Sequence, residues 1–256
     1  MEVLVLGSGT SHGVPMIGCE CEVCRSKDPR DKRFRPSILV RHEGKAILVD
    51  TGPELRMQSL AFAVKSVDAV LFTHTHADHI MGLDDLRRFN DLSGREMPVY
   101  GDCDTLEDIR RIYPYIFKET QEGGGKPRLT LHEVERDFEL FGLRIRSFYV
   151  MHGRLPVLAY RFDEPHGGRK IAYVTDVNSI PPDSLDLLRG LDVLILDAVR
   201  FEPHLTHFGL YQALEIVEEV NPGQAYFTHI SHHLQHETVN AMLPDRVRLA
   251  YDGQII

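Results

Sequence analysis

Residues 74–79 read HTHADH and follow, after Thr73, on the apolar run 67–72, VDAVLF. Four side chains able to bind a cation, His74, His76, Asp78 and His79, therefore fall within six positions. An apolar run that stops abruptly at a polar cluster is the pattern of a buried strand at its carboxyl end. Alternate residues of an extended chain share a face, so His74 and His76 can point the same way. The spacing of Ile80, Leu83, Leu86 and Phe89 predicts a helix next, and the turn into it can swing Asp78 and His79 to an adjacent point. Imidazole and carboxylate together suit borderline divalent ions such as Zn²⁺, Mn²⁺ or Fe²⁺. The plain alternative, a solvated loop with chance histidines, does not explain why they crowd at a strand end.

The chain has 256 residues, which favours one domain spanning 1–256 and a core large enough to need no disulfide. A net charge of −9 argues against a nucleic-acid partner held by bulk electrostatics. No apolar run approaches a membrane span. The start, MEVLVLGSGT, has no basic stretch before its apolar run, so no export signal and a cytoplasmic location are expected. Cys19, Cys21 and Cys24 lie within six residues, and in a reducing compartment such a cluster points to metal more than to disulfides. Cys103 stands alone and reads as a packed thiol.

Strands are predicted at EVLVLG, on both sides of a turn at 42–44, and at MPVYG, LRIRSFYV, VLAYRF, KIAYVTD, DVLILDA, AYFTHI and RVRLAYDG. Helices are predicted over 104–118, with Leu106, Ile109 and Ile112 on one face, and over about 208–220, with Leu210, Ala213, Leu214 and Val217 inward. QEGGGKP at 121–127 reads as a loop. No linker or short repeat divides the chain. Each half runs through strands, a polar strand-end cluster and a helix. That layout predicts an α/β fold of two stacked sheets with helices outside.

The His-x-His-x-Asp-His motif after a strand resembles the metallo-β-lactamase superfamily. His152 in YVMHG, Asp176 in YVTD and His229 in FTHIS look like that family's remaining ligands. The resemblance implies an αββα four-layer sandwich of two mixed sheets. It implies that His74, His76 and His152 hold one divalent ion, that Asp78, His79 and His229 hold a second, and that Asp176 bridges them. GCECEVC followed much later by THISH resembles the PhnP-type phosphodiesterase branch, related to tRNase Z. There the three cysteines and a histidine, here His232, hold a structural zinc. Residues three apart on an extended strand face opposite ways, which also assigns His229 and His232 to different places. His233 is left as a surface residue, with a one-place exchange with His232 open.

By the same resemblance His207 lies beside the metals without binding them, contacts phosphate and helps the leaving group depart. Its residue-level alternative is a helix start with Thr206 as cap. Asp197 is expected either to orient a histidine or to cap. Six basic side chains within residues 25–36 read first as a solvated face, with phosphate steering by Arg33 or Arg35 as the second reading. His12, in the Gly-rich GSGTSHGVP, is a candidate substrate contact. His42, His132, His166 and His236 read as surface residues.

The implied activity is a binuclear-metal phosphodiesterase (Mn or Zn, with Fe as a further option) plus one structural Zn. Its substrate would be a small or cyclic phosphodiester, first of all phosphoribosyl 1,2-cyclic phosphate. His207 and Asp78 are the residues expected at the reacting centre, Asp78 as ligand and not as general acid. A homodimer is implied by resemblance only. Three rivals are carried: an RNA-processing nuclease like tRNase Z, a thioester or lactam hydrolase of the superfamily, and a non-catalytic zinc-stabilised binding module. Only 23 residues (153–175) separate His152 from Asp176, too few for the long arm tRNase Z usually carries there.

Overall fold

A computed structural model describes residues 1–118 and 125–256, so the loop expected at 121–127 lies partly outside the described residues. Six strands form a first sheet in chain order: β1 (Glu2–Gly7), β2 (Ser37–His42), β3 (Lys45–Val49), β4 (Ala69–Leu71), β5 (Met97–Gly101) and β6 (Leu129–Glu133). Seven form a second: β7 (Asp137–Leu140), β8 (Leu143–His152), β9 (Leu155–Asp163), β10 (Lys170–Val174), β11 (Val193–Asp197), β12 (Gln224–Thr228) and β13 (Val247–Leu249). Both sheets are mixed. Pairing is antiparallel over β1–β3 and parallel over β3–β6, then antiparallel over β7–β10 and parallel over β10–β13.

The helices are α1 (Glu22–Arg25), α2 (Leu55–Ala61), α3 (Ala77–Ile80), α4 (Leu86–Ser93), α5 (Cys103–Ile112), α6 (Pro114–Phe117), α7 (Pro182–Leu185), α8 (Leu210–Val220) and α9 (His236–Asn240). Strand alternation sorts the core into layers. Val3, Val5, Ile38, Val40, Ile47 and Val49 of the first sheet pack against Tyr160, Phe162, Ile171, Tyr173, Val193 and Ile195 of the second. The opposite faces, Leu4, Leu6, Leu39 and Leu48, meet Leu55 of α2, Leu86 and Phe89 of α4 and Ile109 of α5. Likewise Val174, Leu194, Leu196 and Phe227 meet Ala213, Val217 and Val220 of α8. The result is the expected αββα sandwich. Strands buried on both faces read as continuous apolar runs, which is why AILVD and DVLILDA do not alternate.

Several expectations need correction. The helix expected over 104–118 breaks at Tyr113 (φ −116°, ψ 56°), because the ring of Pro114 excludes its predecessor from the α region. The helix expected from about 208 begins at Leu210 behind Gly209, so Thr206 is not its cap, and Gln212 Oε1 accepts from the Gly209 N–H instead. Leu214 is only partly buried. β6 and β7 carried too little apolar signal to be foreseen, and most of their residues are exposed or half-buried. Arg33 steers no phosphate: it is buried, paired with Asp31 at 3.1 Å, and donates to the carbonyls of Ser231 and Leu234. Arg35 is tied to Glu54 and donates to the carbonyl of Ser11. His236 is not on the surface but 3% exposed, its N–H donating to Asp31.

Two contacts decide where the motif loop sits. The Thr51 N–H donates to the His79 carbonyl and the Gly82 N–H to the Thr51 carbonyl, pressing the 50–52 loop onto α3. A Cβ on Gly82 would stand 2.1 Å from the Gly52 carbonyl oxygen. Gly82→Ala is therefore expected to cost about 1–3 kcal/mol, read as a lower urea midpoint at unchanged m-value.

Burial, helped by the nearby Arg30 and Arg33, lowers His236 to about 4. Below the unfolded value of about 6.5 the unfolded chain takes up a proton that the fold refuses, so this residue's contribution falls between pH ~6.5 and ~4. The stability difference between the wild type and His236→Leu should shift toward the variant as the pH of urea titrations goes from 7.5 to 5. An unchanged difference would refute the assignment.

Candidate metal centre

The carboxyl ends of β3, β4, β8, β10, β11 and β12 open onto one edge of the sandwich. They deliver Asp50, His74, His152, Asp176, Asp197 and His229 there, and α3 adds Asp78 and His79. Two hydrogen bonds cross between the sheets beside this edge: Tyr160 Oη to the Phe72 carbonyl at 2.6 Å and the Leu158 N–H to the Thr73 carbonyl at 2.9 Å. Asp50, Asp176 and His229 have φ of 63°, 54° and 57°. A left-handed conformation in a residue with a Cβ costs of order 1–3 kcal/mol and is kept only where its surroundings enforce it. Here it turns each side chain out of its strand end toward the others.

Side-chain ligand atoms converge in overlapping sets within 4.8 Å of one another. Asp78, His79, Asp176 and His229 form one; His74, His76 and Asp176 another; His152, Asp176 and His207 a third. Asp176 belongs to all three. His152 joins His74 and His76 less tightly than the expected grouping, its ring centre lying 6.0 Å from that of His74 and 5.2 Å from that of His76. The other ring nitrogens are held from outside. His79 Nδ1 is 2.8 Å from Asp50 Oδ2, His74 Nδ1 is 3.0 Å from Thr73 Oγ1, and His152 Nδ1 is 2.7 Å from the Thr206 carbonyl. These contacts leave Nε2 facing inward.

The inward atoms fit a cation. Nε2 of His74, His79 and His229 is buried with no hydrogen-bond partner. His79 Nε2 lies 3.1 Å from Asp176 Oδ2, but not along a hydrogen-bond direction. Each buried polar atom without a partner costs about 1–3 kcal/mol, a cost that a shared divalent ion removes. The charges agree. Burial would raise Asp176, yet His229 and His79 hold it well below the usual carboxylate range. Burial alone would lower His229, but Asp176 and Asp78 raise it to about 9. The buried carboxylates and imidazoles already form an environment of paired charge.

A second set lies apart. His232 Nδ1 is 3.2, 3.4 and 3.7 Å from the Sγ atoms of Cys19, Cys21 and Cys24. A tetrahedral zinc shell sets nitrogen-to-sulfur edges at about 3.5 Å, which these distances bracket. The Cys24 N–H, donating to Cys21 Sγ, lowers the Cys21 thiol to about 6, whereas burial pushes Cys24 up to about 11. His233 points elsewhere, its Nδ1 3.0 Å from Ser231 Oγ. Cys103 is exposed, not packed.

His207 stands between the histidines without a central place among them. Its Nδ1 is 2.6 Å from Asp197 Oδ2, and its ring centre is 4.5 Å from that of His152 and 4.6 Å from that of His229. A cleft of about 180 Å³ opens beside it, lined by residues that include Thr10, His12, Arg200, His204 and His229. Sequence reading missed Asp50 and His204. Asp50 had a signal: it ends an apolar strand, as Asp176 and Asp197 do. His204 had none.

A model described as a beta-lactamase superfamily domain matches residues 45–230. The octanoyltransferase of Porphyromonas gingivalis is 38% identical over 99% of this chain and 51% of its own length. The ribonuclease Z of Methanopyrus kandleri is 31% identical over 63% of this chain and 56% of its own. This chain thus spans about half the length of these two curated relatives. Among solved structures, a diphosphatase of the PhnP family superposes with a TM-score of 0.91 at 43% identity, covering 100% of this chain and 96% of that one. Zn²⁺-bound PqqB of Methylobacterium extorquens shares the fold at TM-score 0.83 and 19% identity, covering 100% and 99%. The chain belongs to the metallo-β-lactamase superfamily, in its PhnP-like branch, to which tRNase Z is related.

Asp50→Asn removes the charge and one acceptor oxygen of the carboxylate that fixes His79. It is expected to weaken divalent-ion affinity at the central cluster about 10–100-fold, measured by equilibrium dialysis, while the ion held by the cysteines is retained.

Proposed function

We propose that this protein is a phosphodiesterase that hydrolyses a small or cyclic phosphodiester at a pair of divalent ions, with phosphoribosyl 1,2-cyclic phosphate the first candidate. In this reading His74, His76 and His152 would hold one ion and Asp78, His79 and His229 the other, with Asp176 within reach of both sets. Cys19, Cys21, Cys24 and His232 hold a structural zinc. When bound, such an ion pair supplies Lewis-acid charge neutralisation and lowers the pKa of water.

The observation that carries the reading is the placement of His207. Asp197 occupies its Nδ1, which leaves Nε2 as the nitrogen that can meet a substrate in the cleft. As an imidazolium it gives that proton to the departing oxygen, and Asp197 stabilises the charged ring and fixes its orientation. A thiolate leaves a thioester without needing a proton, whereas an alkoxide leaving phosphorus gains from one. The 43% identical PhnP-family neighbour is a diphosphatase, which keeps the chemistry at phosphorus and makes a phosphoanhydride the second substrate class. The octanoyltransferase name does not alter the reading, because it belongs to a protein about half of which lies outside the match.

A tRNase Z-like role is disfavoured. β9 and β10 account for most of the chain between His152 and Asp176, with no room there for an RNA-binding arm. The partner proposed is therefore a small phosphodiester and not nucleic acid. Among the described residues no helix is long and apolar enough to cross a membrane. A homodimer and a cytoplasmic location complete the proposal.

Turnover of bis(p-nitrophenyl) phosphate, 2′,3′-cyclic nucleotides, pyrophosphate esters, an acyl thioester and pre-tRNA with Mn²⁺ and Zn²⁺ tests it. Thioester turnover with every phosphorus substrate intact would sink it. His207→Ala should keep its metal content and lose about 10²–10⁴-fold in kcat.

A further inference from the structure

The loop between β11 and α8 carries His207 to the cleft. Among the described residues, three hydrogen bonds tie its backbone from Leu205 to Phe208 to segments beyond the loop. The Phe208 N–H donates to the Val177 carbonyl at 2.7 Å, the Thr206 carbonyl lies 2.7 Å from His152 Nδ1, and the Leu205 carbonyl accepts from Asn178 Nδ2 at 3.0 Å. Packing does not hold the loop at Leu205, which is 88% exposed. Two of the three ties come from Val177 and Asn178, the residues directly after Asp176.

Asn178 has a second partner. Its Oδ1 accepts from the Gly153 N–H at 2.7 Å, in the turn directly after His152. One amide thus spans two segments, donating to the loop of His207 and accepting from the turn of His152. One partner is an acceptor and the other a donor, so together they fix which way the amide faces. The backbone of Asn178 is placed as firmly. Its N–H donates to the Met151 carbonyl at 2.8 Å, and the Met151 N–H donates to the Ser179 carbonyl at 2.9 Å. Asp197 Oδ2 accepts from the Val177 N–H at 2.9 Å and stands 2.6 Å from His207 Nδ1. Asp197 therefore orients the His207 ring, while Asn178 sets where the backbone before it stands relative to His152. The two ring centres lie 4.5 Å apart.

We propose that Asn178 is a positioning residue: it holds the His207 loop in register with the His152 turn, so that the proton on His207 Nε2 meets the departing oxygen. Asn178 itself does not enter the reaction and acts through His207. This inference rests on the phosphodiesterase reading and names what keeps its proton donor in place. General acid catalysis contributes about 10²–10⁴-fold, and a misplacement of about 1 Å can cost about 10²-fold. Loss of the amide should therefore weaken proton transfer while the candidate metal ligands keep their own supports.

A matched pair of diesters tests it. Methyl 4-nitrophenyl phosphate releases a phenoxide that needs no proton; methyl phenyl phosphate releases one that gains from it. Asn178→Ala should lose about tenfold or more in kcat on the phenyl ester and far less on the nitrophenyl ester, with KM and bound metal unchanged. Asn178→Asp keeps the acceptor for Gly153 but lacks the donor for Leu205, so it should show the same split. A general weakening of the fold would slow both esters alike. Adding Asn178→Ala to His207→Ala should cost nothing further on the phenyl ester, because the two act as one unit. Amide exchange of the protein as purified gives a readout that needs no turnover: residues 201–207 should exchange about fivefold faster or more in Asn178→Ala, with β2 and β3 unchanged. If His207→Ala slows both esters alike, the reading of His207 as proton donor fails, and Asn178 then stands or falls on exchange alone. Equal slowing of both esters by Asn178→Ala where His207→Ala discriminates between them, or unchanged exchange at 201–207, overturns the proposal.

Discussion

Buried imidazole nitrogens without hydrogen-bond partners are the constraint around which this fold is arranged. Nε2 of His74, His79 and His229 is buried without a hydrogen-bond partner, and the buried carboxylates of Asp78 and Asp176 are packed among these rings. Burying such a group alone costs several kcal/mol. The cluster is tolerable because its charges face one another and because its geometry suits a divalent ion. Nearly everything around it holds those atoms still. Asp50 fixes His79, Thr73 fixes His74, the Thr206 carbonyl fixes His152, and three residues keep a left-handed backbone that only a rigid frame enforces.

The frame is the stacked pair of sheets. Parallel strands carry their carboxyl ends to one edge, and the edge belongs to both sheets because Tyr160 and Leu158 bond across to Phe72 and Thr73. The centre is therefore built from both halves of the chain: His74, His76, Asp78 and His79 from the first, His152, Asp176 and His229 from the second. The cysteine cluster performs a different task. His232 follows His229 by three residues, so the loop after β12 links the two sets, and buried Arg33 bonds the carbonyls of Ser231 and Leu234 on either side of it. A charged run that looked like a solvated face is in part a brace for this loop.

Chemistry at this edge depends on what stands beside the cluster as much as on the cluster. The metallo-β-lactamase superfamily hosts several reactions on one frame, and a shared frame does not choose among them. Here the distinguishing parts are the Asp197–His207 pair and a cleft without carboxylates on an acidic protein. In the proposed reading both serve a phosphorus substrate.

The sequence by itself determined the layers and the strand-end clusters, because each rests on local pattern: apolar runs that stop at His or Asp, and cysteines crowded in one loop; that His152, Asp176, His229 and His232 join these clusters was implied by the family resemblance, and the structure brings them within reach. The sequence even carried a sign of Asp50, which ends AILVD as Asp176 ends YVTD. Only the tertiary structure decided that Arg33 and His236 are buried, that Asp50 serves His79, that the helix over 104–118 breaks at Tyr113 and that His204 and Arg200 line one cleft with His207. Most of these turn on contacts between segments far apart in the chain. Spacing along a sequence fixes which face a residue takes, but not what the other sheet brings to meet it.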